Sequence, residues 1–151
     1  MNNQLDNIKE KLEKLRQLDM NLEVFGSETH KYILNPIVSI DTIKQFEVKH
    51  EITLPHEYVT FLTTLGNGGA GPFYGLEPLE NAVLDDLDYK HKDSLLNPSK
   101  PFPHSDAWNM EFEPTVGEDE NQEENDRQYE EFTNLYFDTE QINGVIAICK
   151  Y

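Results

Sequence analysis

The 151 residues include only one cysteine, Cys149, so the chain cannot form an internal disulfide, which fits a reducing compartment. Long apolar runs are missing as well: the longest, residues 145–149, is far shorter than the ~20 residues that cross a bilayer. The first residues are charged and contain no apolar core of a secretory signal. These features predict a cytoplasmic protein that does not enter membranes.

Basic residues are scarce too, with 12 Lys and Arg against 29 Asp and Glu, a formal net charge of −17 and a pI near 4.5. Such a surface repels the phosphates of nucleic acids and anionic lipids, so the sequence predicts neither as a partner. It attracts a basic protein partner instead, although a charge of this size also serves solubility alone. Hydrophobic residues make up 37% and aromatic residues 11%, which is enough for one folded domain of this length.

Motifs that would mark an active site are incomplete. His50-Glu51 and His56-Glu57 each begin the zinc-binding pattern His-Glu-x-x-His. Leu54 and Thr60 occupy the position of the second histidine. The glycine-rich segment 66–71 is not followed by the Lys-Ser/Thr pair of a phosphate-binding loop.

The other reactive side chains also lack a catalytic pattern. Cys149 lies in an apolar run, where we expect a small core residue rather than a nucleophile. Asp85, Asp86 and Asp88 lack the central glycine of a calcium-binding loop and predict a solvated acidic turn. The sequence therefore predicts no enzyme: no catalytic residue, no cofactor and no metal ion.

Hydrophobic periodicity predicts helices in the first half of the chain. Residues 2–22 predict a helix whose apolar stripe packs on the domain or, alternatively, pairs as about two coiled-coil heptads. The stripe consists of Leu5, Ile8, Leu12, Leu15, Leu18 and Leu22. Ser39 suits the N-cap of a helix that ends near His50. Pro55 suits the first position of the next helix, which ends at the glycine-rich segment.

The second half predicts strands. Residues 73–76 have the pattern of a short strand, and Asn143-Gly144 is a turn signal before a buried strand at residues 145–148. Helices followed by strands predict an α+β fold, with N-terminal helices packed on a mostly antiparallel β-sheet. An acidic insert at residues 113–128 has no apolar periodicity at its start, which predicts a mobile loop.

Several short motifs between residues 40 and 76 resemble, in their order and spacing, the signature of the SUKH superfamily. The matching residues include Ile43, Phe46, Glu47, Leu54, Pro55, Tyr58, Phe61, Leu62, Asn67, Gly68 and Gly69. Trp108 resembles part of the family's middle element, and residues 144–148 resemble its later core strand. The resemblance covers residues 39–151 and leaves residues 1–38 as an N-terminal helix and lead-in. We expect its motif residues to form the fold rather than to contact a partner.

Family members usually continue with further strands beyond the position of Tyr151. The resemblance thus implies a sheet that lacks its last strands. An exposed sheet edge pairs readily with another chain, so an oligomer is one expectation.

The resemblance implies a protein that binds other proteins and catalyses nothing. In bacteria the common role of the family is immunity, in which the protein covers and blocks a cognate toxin, frequently a nuclease. The alternative is a regulatory scaffold that binds host proteins, as the fungal Smi-Knr members of the family do. A third class, a ligand-holding or enzymatic domain, has no polar cluster to support it.

We expect the acidic segment 117–131 to form part of the toxin-facing surface. The carboxylates that we assign to it are Glu118, Asp119, Glu120, Glu123, Glu124 and Asp126. Tight binding also needs buried anchors, which are commonly aromatic. Tyr129, Phe132 and Tyr136 are candidates, and their helical spacing fits core packing equally well.

Overall fold

The computed structural model describes residues 2–84, 95–113 and 122–149. Five α-helices lie in these ranges: α1 (Asn2–Leu18), α2 (Ser27–His30), α3 (Ile40–His50), α4 (His56–Thr64) and α5 (Gln122–Tyr136). Two short 3-10 helices cover Leu79–Asn81 and Thr139–Ile142. The chain divides into two compact units: the first unit comprises Met1–Val83 and Ile146–Tyr151, and the second unit comprises Leu84–Val145.

The predicted α+β fold is wrong. The described part of the chain is mostly helical and contains no sheet. Isolated antiparallel bridges replace it in the first unit, where Leu34 pairs with Gly69, Gly69 with Leu76, and Leu76 with Cys149. Within the described ranges there is no sheet edge at which the expected oligomer contact could form.

Local backbone geometry explains why the two predicted strands do not form. At residues 73–76, the amide of Gly75 donates to the carbonyl of Pro72 (2.9 Å) and closes a turn, in which Phe73 has a φ of 49°. Residues 145–148 form no bridge with any described residue, and only the adjacent Cys149 pairs, with Leu76. Ile148 and Cys149 are exposed, so the predictions of a buried strand and of a core thiol are both wrong.

Local signals did predict the two central helices. Ser39 Oγ accepts a hydrogen bond from the amide of Thr42 (3.1 Å) at the start of α3, which ends at His50 as expected. Pro55 is the N-cap of α4 and not its first helical residue, because its ψ of 138° is extended. Helix α1 ends at Leu18, four residues before the end of the predicted stripe.

The core of the first unit lies where α3 and α4 meet the 3-10 helix Leu79–Asn81. Ile43, Leu62 and Leu79 are almost completely buried there, and Phe46 of α3 and Leu54 belong to the same buried cluster. In contrast, Ile8 and Leu15 on α1 are 41% and 42% exposed. Lys9 of α1 donates to the carbonyl of Thr64 at the end of α4 (3.2 Å). No helix within the described ranges is both long and apolar enough to cross a membrane.

Candidate partner-binding surface

The motif residues of the first unit hold its loops together. The carboxylate of Glu47 on α3 accepts a hydrogen bond from the amide of Leu54 (2.8 Å), which fixes the chain just before α4. Tyr58 and Phe61 lie half-buried on α4 with nearly parallel rings, 8° apart, and pack against the core. Burial raises the pKa of Tyr58. These contacts give the motif a structural role.

Asn67 connects three segments of the first unit. Its Oδ1 accepts from the amide of Leu79, and its Nδ2 donates to Glu80, both at 2.8 Å. Its backbone carbonyl accepts from the side chain of Asn35 (2.9 Å). At the neighbouring Gly69, φ is +94° and a Cβ would lie 2.5 Å from the carbonyl oxygen of Ile33, so only glycine fits.

The second unit carries most of the negative charge. It contains 17 acidic and 4 basic residues, a formal charge of −13, whereas the first unit contains 12 and 8, a formal charge of −4. The second unit is therefore the part of the molecule that attracts a basic partner most strongly.

A row of aromatic rings runs along α5 in this unit. We call it the aromatic row, and it consists of His104, Trp108, Tyr136, Phe132 and Tyr129 in spatial order. The centroid distances between successive rings are 4.5, 5.4, 5.6 and 6.4 Å, and the first three pairs are stacked with interplanar angles of 18°, 19° and 25°. Such ring pairs contribute roughly 0.5–1.5 kcal/mol each beyond the area that they bury.

Two contacts from the segment before α5 fix the row. The hydroxyl of Tyr136 donates to Asn109 Oδ1 (3.1 Å), and Nε2 of His104 donates to the carbonyl of Gln141 (3.1 Å). Phe112 packs against Phe132 at 5.5 Å and meets Tyr129 edge-on at 5.3 Å. The two hydrogen bonds thus fix the row at His104 and at its middle ring, Tyr136, and Phe112 packs against its other end.

The row remains open to solvent. Tyr129 is 57% exposed and Trp108 is 38% exposed, and no residue of α5 is buried. Phe132 is half-buried among other rings, so it supports the row instead of filling a hydrophobic core. Exposed rings in contact with one another mark an interaction surface more often than isolated exposed residues do.

Helical geometry explains how α5 separates its charges. With 3.6 residues per turn, Tyr129, Phe132 and Tyr136 share one face, while Asp126 and Glu130 lie roughly 60° and 100° round the helix from Tyr129. Arg127 lies on the opposite side, where it pairs with Glu124 (2.6 Å) and Glu131 (2.5 Å). The hydrogen bond from Arg127 lowers the pKa of Glu124, and the hydrogen bond to Glu124 raises the pKa of Arg127.

This arrangement leaves Asp126 beside Tyr129 and Glu130 further round the helix, and it holds Arg127 on the opposite side. Asp126 accepts only a neutral donor among the described residues, the side chain of Gln122 (3.0 Å). Asp126 and Glu130 are both exposed. We call Asp126, Glu130 and the aromatic row together the anionic aromatic surface.

The predicted partner-binding residues divide into three groups. Glu118, Asp119 and Glu120 lie outside the described residues. Glu123 and Asp126 are exposed on the first turns of α5, and Tyr129 is exposed on the row. Glu124 is engaged with Arg127 and Gln128 on the other face.

Part of this surface was not predicted from the sequence. Trp108 was assigned to the fold motif, and neither His104 nor Phe112 was assigned to a partner-binding surface. The start of α5 at Gln122, inside the acidic insert, was not predicted either. The spacing of Glu124, Arg127 and Glu131 could have indicated this helix. Opposite charges three or four residues apart stabilise a helix even without apolar periodicity.

The first unit contains a polar groove. It measures about 300 Å³, and its lining includes His30, Asn35, Tyr74, Glu77 and Asn81. Nδ1 of His30 accepts from the amide of Tyr32 (3.0 Å), so Nε2 carries the proton of the neutral ring, and burial lowers the pKa of His30. No group of three or more His, Cys, Asp or Glu side chains in the described ranges is arranged to hold a metal ion.

Comparison with known proteins adds no relative. No protein-family model, no curated protein and no solved structure matches this chain. The functional argument therefore depends on the residues of the chain and on the anionic aromatic surface.

Proposed function

We propose that this chain is a non-enzymatic immunity protein of the SUKH type. It binds a cognate bacterial toxin in the cytoplasm and neutralises it by covering a basic active surface, as a nuclease toxin must have. The observation that carries the proposal is the exposed aromatic row of α5, which lies in the unit with a formal charge of −13.

The two components of the surface have different physical roles. Exposed ion pairs contribute only roughly 0.2–1 kcal/mol each, so carboxylates alone would give weak attachment. Their larger effect is to steer a basic partner, which raises association rates toward ~10⁸ M⁻¹s⁻¹ at low salt. Tyr129 and Trp108 supply the aromatic anchors that tight binding needs.

The experiment is purification of the tagged protein from its native host, followed by identification of the co-purifying protein and an assay of its activity. The proposal expects a toxic protein with a basic surface whose activity is blocked at an equimolar ratio. Tyr129→Ala should weaken this inhibition about tenfold or more, because truncated aromatic anchors lose that much binding energy.

Tyr74→Ala in the first unit is the matched control, since it removes a partly exposed tyrosine outside the anionic aromatic surface. It should leave the inhibition unchanged. A co-purifying protein that is not toxic, or a toxin that stays fully active at an equimolar ratio, would contradict the proposal and favour the regulatory scaffold.

A further inference from the structure

The anionic aromatic surface combines two groups that recognise different features of a cation. Ring faces attract cations through their quadrupole, and a guanidinium also stacks on them because it is planar and weakly hydrated. Carboxylates beside the rings bind the same guanidinium through paired hydrogen bonds. A lysine ammonium is compact and strongly hydrated, so it gains less from the rings.

The placement of charge on α5 favours an arginine from another protein over an internal cation. Arg127, the only basic residue of α5, is engaged on the opposite face by Glu124 and Glu131. The exposed rings are therefore available to a cation from a partner protein. Asp126 lies one turn before Tyr129, about 60° round α5 from it, and Tyr129 is the most exposed ring of the row.

We infer that the anionic aromatic surface selects arginine side chains of its partner, which stack on Tyr129 and Trp108, while Asp126 binds the guanidinium group that stacks on Tyr129. This inference rests on the proposed function for the identity of the surface. It specifies the partner chemistry as an arginine-rich protein segment and not merely a positively charged one.

Titration with oligo-arginine and oligo-lysine peptides of equal length tests this inference on the full chain. Trp108 is the only tryptophan, so its fluorescence reports binding at the row. At 0.15 M salt, where long-range attraction is screened beyond about 8 Å, the arginine peptide should bind about fivefold more tightly and quench Trp108. Equal affinities of the two peptides would overturn the inference.

Two pairs of variants separate the rings from general charge. Tyr129→Leu should reduce the preference for arginine to less than about twofold, whereas Tyr74→Leu should preserve it. Asp126→Asn should weaken binding of the arginine peptide more than Glu131→Gln, which removes the same charge from the side of α5 away from Tyr129. A preference that survives Tyr129→Leu, or equal effects of the two charge-removing variants, would also overturn the inference.

The peptide titration contains no toxin, so its failure is distinct from failure of the proposed function. Loss of arginine selectivity with intact toxin inhibition would refute only this inference. Peptide selectivity without toxin inhibition would refute the immunity role.

Discussion

At the residue scale, one carboxylate organises the connection after α1. Asp19 accepts hydrogen bonds from the amides of Glu23 (2.8 Å) and Val24 (3.2 Å) and from the hydroxyl of Tyr32 (2.6 Å). The hydrogen bond donated by Tyr32 lowers the pKa of Asp19. The same hydrogen bond, accepted by Asp19, raises the pKa of Tyr32. Asp19 therefore links the end of α1 to the buried Tyr32.

Tyr32→Phe should lower the free energy of unfolding, because it removes a donor to a charged carboxylate. This decrease in stability should be largest at neutral pH. It should shrink as the pH falls through the pKa of Asp19, which lies below its ordinary value of 3.8. It should also shrink as the pH rises through the pKa of Tyr32, above 10.0. Urea denaturation across this range measures it, with Tyr74→Phe as the control. A loss that does not depend on pH would contradict this role of Asp19.

Residue identity alone predicted the importance of Asn67 but not its contacts. The sequence pattern marked Asn67-Gly68-Gly69 as fold-forming, and the positive φ values of both glycines agree with that prediction. The partners of the Asn67 side chain, Leu79 and Glu80, lie 12 and 13 residues further along the chain. A bond over that distance depends on tertiary packing, which no local pattern encodes.

At the scale of elements, the helices with local caps were predicted correctly, whereas the two predicted strands were wrong. The N-cap bond of Ser39 spans three residues, so the sequence contains both of its partners. A strand depends on a second segment that supplies its ladder. Among the described residues, Leu76 forms only isolated bridges, with Gly69 and Cys149, and residues 145–148 form none. The aromatic row was missed for the same reason, since Trp108 and Tyr136 meet across 28 residues of sequence.

Ser39→Ala should destabilise the protein by about 1 kcal/mol, because the amide of Thr42 loses its acceptor at the start of α3. Ser39→Asp retains an acceptor near the positive end of the helix dipole and should restore most of the stability. Thermal or urea denaturation of the three proteins measures the effect. If Ser39→Asp is as unstable as Ser39→Ala, the cap is not the cause.

At the scale of the whole molecule, the charge is unevenly distributed between the two units. The first unit contains the buried core and the family-like motif, and its formal charge is −4. The second unit has a formal charge of −13 and contains the anionic aromatic surface. This distribution of core and charge predicts that substitutions in the first unit change stability, whereas substitutions on the exposed face of α5 change partner binding.

The rate of association with the toxin, measured over a series of salt concentrations, tests the central claim most directly. The account predicts a wild-type rate that rises steeply at low salt and a slower, less salt-dependent rate for Asp126→Asn/Glu130→Gln, with the two rates converging at high salt. Glu10→Gln/Glu57→Gln in the first unit removes the same number of charges and should change the rate less. Identical rates and salt dependences for wild type and Asp126→Asn/Glu130→Gln would contradict the account.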